Sequence, residues 1–299
     1  MENVLTAPRE RLYKTSATLT RKLRVAYPVG MGRMILRTEL DWDQSIEPLS
    51  ISEDGNISTF ELTADQPFLY CKPCLIEPNG TLHWSTGANT LVLMEEEDQR
   101  IMYPFFFASE QGRFSDLVEF PSQILGRNHY LRVYLPPGYD ENTLATYPAA
   151  FMQDGQNLFF PEEAFLGQTW DLNETSQILR SMSAVEDFVI IGIRSGDRMK
   201  KYTAPGYEAY AKSLAEEIVP REQKLLRIGH HRRFRTVWGS SLGGVVSCYT
   251  VWQYPEVFGV AVRMASTFSH KDNLIERVLS GTKARCGILS RLRVARRQL

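Results

Sequence analysis

The residue grouping best suited to chemistry is Gly239-Ser240-Ser241-Leu242-Gly243, a serine in G-x-S-x-G spacing. A hydroxyl set on a sharp strand-to-helix turn stands clear of the strand ends, and the amide that follows can donate to a developing oxyanion. The context fits: Thr236-Val237-Trp238 reads as a strand leading in, and Val245-Val246-Ser247-Cys248-Tyr249 as a helix leading out. The expected chemistry is acyl transfer, with Ser241 as nucleophile and the Leu242 N–H as one oxyanion donor. The second donor is expected from the loop Gln153-Asp154-Gly155-Gln156-Asn157-Leu158-Phe159, through the amide of Gly155 or Gln156. The competing reading is that both segments are turns without chemistry.

A serine of this kind needs a base, and on the strand-turn-helix scaffold its acid and histidine partners follow it in the chain. The 58 residues after Ser241 contain one histidine, His270, and three acids, Glu256, Asp272 and Glu276. His270 is therefore the candidate base, and Asp272 stands too close to it in sequence to orient it well. His230 and His231 fall in a basic loop expected at the opposite end of the sheet. His129 reads as structural, and His83 belongs to an N-terminal β segment. Arg198 and Tyr202 follow an apolar strand ending at Ile193, which places them at the carboxyl edge of the sheet, where ligands bind. They are candidate substrate-binding residues, Arg198 for a carboxylate or catecholate group. The alternative for Arg198 is a surface pairing with Asp197 or Glu208.

The elements that must position these residues come in two kinds. Residues 21–100 read as an all-β domain of short runs such as Leu23-Arg24-Val25-Ala26-Tyr27 and Ser58-Thr59-Phe60-Glu61-Leu62, with a hairpin signal at Asn79-Gly80. Their spacing suggests a small immunoglobulin-like sandwich. Residues 1–20 are an N-terminal tail, 101–119 a linker and 280–299 a basic C-terminal tail. From 120 to 279, apolar strands alternate with amphipathic stretches at Trp170–Ser181 and Tyr207–Leu226, which implies a doubly wound, mostly parallel sheet of the α/β class.

Hydrophobic residues make up 43% of the 299-residue chain and charged residues 23%, with a formal net charge of -1. That charge argues against nucleic acid or an anionic membrane as partner. No apolar run is long enough to span a bilayer, and the N-terminus lacks the apolar core of a secretory signal, so the expected location is cytoplasmic. Cys71 and Cys74 form a C-x-x-C with His83 nearby. Without a second ligand pair they read as strand cysteines rather than a metal site.

The string Val133-Tyr134-Leu135-Pro136-Pro137-Gly138-Tyr139-Asp140 resembles the first strand of the putative-esterase family, which includes enterochelin (siderophore) esterases, esterase D-like enzymes and feruloyl esterases. Tyr147-Pro148, Asp154 to Phe159, Trp170-Asp171, Gly239 to Gly244 and Tyr254-Pro255-Glu256-Val257-Phe258-Gly259 resemble its later blocks, in order, over about 120 to 279. The resemblance implies an α/β-hydrolase fold, carboxylic ester hydrolysis with Ser241 as nucleophile, and no metal or organic cofactor. The partner it implies is a small-molecule ester. The N-terminal β segment is similar to the sandwich preceding the hydrolase domain in the enterochelin-esterase branch.

After about Leu279 the family pattern is lost. Ser280 to Leu299 carries six basic residues and no acid, and nothing there matches the family's acid and histidine loops. A reading-frame change or truncation would account for this. A sheet without its last strands exposes an edge, which points to homo-oligomerisation. Hence a second reading, an impaired homologue acting as a binding or structural protein. A third has Trp42 and Trp84 of the β segment stacking on sugar rings, where the plain alternative is core packing.

Overall fold

In a computed structural model, residues 17–95, 101–266, 268 and 274–281 are described. The chain divides into two compact units. The first comprises Met1–Gln111 with two later segments, Pro137–Ala145 and Gln177–Glu186; the second comprises Gly112–Pro136, Thr146–Ser176 and Asp187–Leu299.

The first unit holds strands β1 (Leu19–Ala26), β2 (Arg33–Thr38), β3 (Asp41–Ile46), β4 (Ser50–Ile51), β5 (Ile57–Ala64), β6 (Phe68–Ile76), β7 (Leu82–Trp84), β8 (Thr90–Leu93) and β9 (Ile101–Met102). One sheet runs β4-β5-β1-β9 and the other β3-β2-β6-β7, with β8 also on β6. Period-two alternation buries Phe60, Leu62 and Ala64 of β5 with Leu23 and Val25 of β1, and the same cluster takes Leu36 from β2 and Leu69 from β6. Asn79-Gly80 turns between β6 and β7, with Gly80 at φ 88° and the Asn79 side chain accepting from the Thr81 amide at 2.8 Å. Cys71 and Cys74 are buried free thiols on β6, and no metal-holding group of His, Cys, Asp or Glu exists among the described residues.

The segment 137–145 supplies polar side chains to this unit. Glu141 accepts the backbone N–H of Phe106 at 2.6 Å, of Phe107 at 2.9 Å and of Ala108 at 2.7 Å, and the Tyr27 hydroxyl at 3.0 Å. Asn142 donates from its amide to the carbonyls of Ala26 at 2.9 Å and Pro104 at 2.8 Å.

The second unit is built on one sheet of β10 (Arg113–Phe114), β11 (Val118–Ser122), β12 (Arg127–Leu135), β13 (Ala149–Gln153), β14 (Val189–Ile193), β15 (Arg235–Ser240) and β16 (Val260–Met264). Its order is β10-β12-β14-β13-β15-β16, with β11 also on β12. Every residue of β13 and β14 is buried, as the apolar runs Ala149 to Met152 and Val189 to Ile193 require. The sheet is mixed rather than mostly parallel. β14, β13, β15 and β16 are parallel, whereas β12 runs antiparallel to β14, β10 and β11. Four residues join β11 to β12, with Gly126 at φ 62°, and so short a link allows only an antiparallel pair between those two strands.

Helices α1 (Leu172–Ser181), α2 (Arg198–Tyr202), α3 (Gly206–Ser213), α4 (Val219–Leu225), α5 (Leu242–Gln253) and α6 (Leu274–Ser280) complete the regular structure. The helix expected over 207–226 is interrupted. Between α3 and α4, Leu214–Ile218 widens into a π turn. Pro220 lacks an N–H and would strike the carbonyl a turn before it, and the wider turn accommodates it. The Ser213 hydroxyl donates to Glu217 across this turn at 2.7 Å. Among the described residues, no helix is long and apolar enough to cross a membrane.

Candidate active site

Ser241 lies between β15 and α5 with φ 54° and ψ −121°, a backbone conformation that costs a non-glycine residue about 1–3 kcal/mol. Gly239 admits no side chain, and Gly244 packs closely. A Cβ on Gly239 would come 2.3 Å from the Gly243 carbonyl carbon, and one on Gly244 1.9 Å from the Ser266 hydroxyl. The Ser241 amide donates to the Met264 carbonyl at 2.9 Å, so the end of β16 runs beside the elbow. Ser241 is half-buried, and Leu242 opens α5, where the first amides have no partner inside the helix.

The Gly155–Gln156 loop leaves β13, the strand adjacent to β15. Asp154 takes φ 55°, which aspartate tolerates, and a single 3-10 turn follows over Gly155–Asn157. A Cβ on Gly155 would lie 2.5 Å from the Gly192 carbonyl carbon and the Ile193 nitrogen, so only glycine lets this turn rest on β14. The Gln156 side chain donates to the Ser195 hydroxyl at 3.0 Å and accepts the Ser195 amide at 3.2 Å. The sheet thus brings Ser241, Leu242, Gly155 and Gln156 to one edge.

Asp154 is a site residue that motif reading passes over. Its carboxyl is buried close to the elbow: a Cβ on Gly243 would lie 3.1 Å from its Oδ2. Burial pushes the Asp154 carboxyl up, and the Arg198 guanidinium opposes this. Arg198 donates from Nη2 to Oδ2 at 3.1 Å, and its Nε lies 2.9 Å from Oδ1. Arg198 therefore pairs with Asp154 rather than with Asp197 or Glu208. Asp197 instead caps α2 by accepting the Lys200 amide at 3.1 Å, and Glu208 meets Arg277 at 3.2 Å. Tyr202, expected at the substrate, has no solvent exposure. Its hydroxyl accepts the Asp154 amide at 3.2 Å, so it holds the loop from beneath.

His270 and Asp272 lie outside the described residues. Among the described histidines none bonds to Ser241. His129 is buried, and its Nε2 lies 2.7 Å from the Ser213 hydroxyl. Burial lowers its imidazole to about 4, so it is neutral near pH 7. Because Ser213 already donates to Glu217, it meets His129 as an acceptor, so the histidine is not a base toward this serine and the pair links β12 to α3. His231 accepts the Arg233 amide at 3.2 Å, and His83 sits 3.4 Å from Glu77 in the first unit.

The edge also carries a cavity of about 500 Å³. Gln156, Ser195, Arg194 and Lys201 line it together with Arg127 and His129 at the start of β12.

Residues 122–287 match the profile of a family described as putative esterase. The chain is 24% identical over 147 residues to the uncharacterized protein YbbA of Bacillus subtilis strain 168, covering 44% of this chain and 54% of that protein. It is 32% identical over 149 residues to the uncharacterized protein YjcH of the same organism, covering 47% of this chain and 57% of that one. The chain thus spans little more than half the length of these relatives. Its fold is also similar to that of the ferric enterobactin esterase of Salmonella typhimurium, with a TM-score of 0.49, 12% identity and coverage of 91% of this chain and 79% of that one. The family match and the strand order together indicate an α/β-hydrolase-like fold with a mixed sheet.

Proposed function

The chain belongs to the putative-esterase family, and from that premise we propose that it hydrolyses carboxylic esters through an acyl-enzyme on Ser241. The observation that carries this reading is the Ser241 backbone, held at φ 54° and ψ −121° between β15 and α5. Strain of this kind persists only where the surroundings enforce it, and it lifts the Oγ off the sheet edge.

In the proposed sequence, Ser241 Oγ bonds to the ester carbonyl carbon as its proton passes to a base. The amides of Leu242 and of Gly155 or Gln156 receive the oxyanion. Loss of one such donor costs about 100- to 1000-fold in turnover. Collapse of the intermediate breaks the bond to the alcohol, which leaves with the proton. Water then attacks the acyl-serine by the same route and restores the hydroxyl. We assign the base to His270. It is the one histidine that follows Ser241 in the sequence.

The test compares wild type with Ser241→Ala on 4-nitrophenyl acetate and butyrate, and labels both with a fluorophosphonate probe. Labelling confined to wild type and a fall in turnover of at least about 1000-fold are expected. Equal rates in the two proteins would overturn the reading.

A further inference from the structure

The cavity at the sheet edge has an uneven charge. Three cations border it, Arg127, Arg194 and Lys201, against one carboxylate, Glu163. That carboxylate is already engaged, by Arg132 and by Arg194, whose Nη2 lies 3.5 Å from Oε2. Lys201 is different. It is 4% exposed, and among the described residues no carboxylate stands within ion-pair distance of its amine. It donates to the Arg194 carbonyl at 2.7 Å and lies over the Tyr210 ring, 4.4 Å from the centroid. One carbonyl and two ring faces, the second that of Tyr202 at 5.8 Å, compensate a buried ammonium poorly, because a charge taken out of water needs an opposite charge or a full set of acceptors. Burial lowers the amine to about 7, with Arg127 adding to the effect and Asp154 opposing it.

The cavity also adjoins the chemistry. Gln156 belongs both to its wall and to the candidate oxyanion loop. In the order β14-β13-β15, the loop after β14 that carries Arg194 and Ser195 lies two strands from Ser241, about 10 Å at ordinary strand spacing. An ester of modest length bridges that distance.

We propose that this cavity seats an anionic group of the substrate, a carboxylate or phosphate about 10 Å from the scissile ester, with Lys201 as its buried counter-charge and Arg127 and Arg194 beside it. The inference rests on the reading of Ser241 as nucleophile and adds the substrate class: esters with a negative charge remote from the bond that breaks. Arg198, committed to Asp154, is not the anion-binding group.

The experiment has a kinetic and a binding part. Mono-4-nitrophenyl esters of glutaric, adipic and suberic acid are compared with the length-matched pentanoate, hexanoate and octanoate. Acetate esters of ω-hydroxy acids are compared with those of neutral alcohols, which separates an anion on the acyl side from one on the alcohol side. Wild type is expected to prefer the anionic member in one arm, and Lys201→Met to lose about 10- to 100-fold of that preference. Suberate and inorganic phosphate are titrated calorimetrically into Ser241→Ala with and without Lys201→Met, where a loss of similar size is expected in the double variant. Equal preference and equal binding with methionine at 201 would overturn the proposal. A Lys201→Met protein whose thermal midpoint falls several degrees would mark Lys201 as structural and also overturn it. Failure of wild type to hydrolyse any ester or to take up the fluorophosphonate counts against Ser241 instead, and the titrations report on the cavity independently.

Discussion

The carboxylate of Asp154 and the guanidinium of Arg198 face each other across the loop that leaves β13, with Nε 2.9 Å from Oδ1 and Nη2 donating to Oδ2 at 3.1 Å. The pair fixes the loop bearing Gly155 and Gln156 against α2, beside the glycines of the elbow. Its members differ in exposure: the Asp154 side chain is 3% exposed and that of Arg198 41%.

That asymmetry makes the pair testable. Removing Arg198 leaves a buried carboxylate without its counter-charge, which costs about 2–3 kcal/mol once the exposure of the arginine is allowed for. Removing both charges relieves most of this. In urea unfolding, Arg198→Met is expected to be less stable than the double variant Asp154→Asn/Arg198→Met. A double variant as unstable as the sum of the two single changes would mean that the charges do not interact.

The backbone at Ser241 gives a second expectation. Alanine there keeps the Cβ and hence the strain; glycine releases it. Against the greater freedom glycine has when unfolded, about 0.5–1 kcal/mol, stands a strain of about 1–3 kcal/mol. Ser241→Gly is thus expected to be more stable than Ser241→Ala by about 1 kcal/mol, read as a shift in urea midpoint at constant slope. A glycine variant less stable than the alanine one would show the elbow to be unstrained.

Lys201 sets a pH dependence. Its folded amine titrates at about 7 against an ordinary 10.5, so between those values the unfolded chain holds more protons and stability rises with pH. Arg127 and Asp154 act on the amine as well, in opposite directions, and burial pushes the neighbouring hydroxyls of Tyr202 and Tyr210 up. His129 stays neutral throughout this window. Above about pH 8.5 the thiols of Cys71, Cys74 and Cys248, which burial pushes up to about 12, 11 and 11, begin to oppose the rise. Between pH 7 and 8.5 the thermal midpoint of wild type is expected to climb, while that of Lys201→Met starts higher and stays level. Parallel profiles would refute the lowered titration.

The strands of the second unit are legible in the sequence because burial on both faces leaves an unmistakable mark. Val189 to Ile193 has no polar residue, and β14 falls there. The G-x-S-x-G spacing likewise announces the turn at Ser241. The antiparallel half of the sheet is less visible, since Arg113 to Ser122 contains short, mixed strands and Pro121. The break in the long helix follows from Pro220, whose effect depends on whether the preceding turn can widen. Long-range pairings leave no local trace: forty-four positions separate Asp154 from Arg198. Lys201 is the hardest case. It follows Lys200, whose side chain is 81% exposed, and nothing in Arg198-Met199-Lys200-Lys201 distinguishes the lysine in water from the one at 4%. Only the adjoining Tyr202 hints that the helix turns inward there.

Glu141 and Asn142 carry a consequence for how this chain can be divided. They satisfy backbone groups at Ala26, Pro104 and Phe106 to Ala108, yet stand more than thirty residues later in sequence, beyond the first strands of the esterase region. The border between the units is therefore not a point on the chain. Recombination that exchanged residues up to 111 for those of another protein would carry away three consecutive amides and leave their acceptor behind. The first unit is in this sense completed by residues 137–145, which stand inside the stretch that matches the family profile, and an exchange would have to carry that segment too.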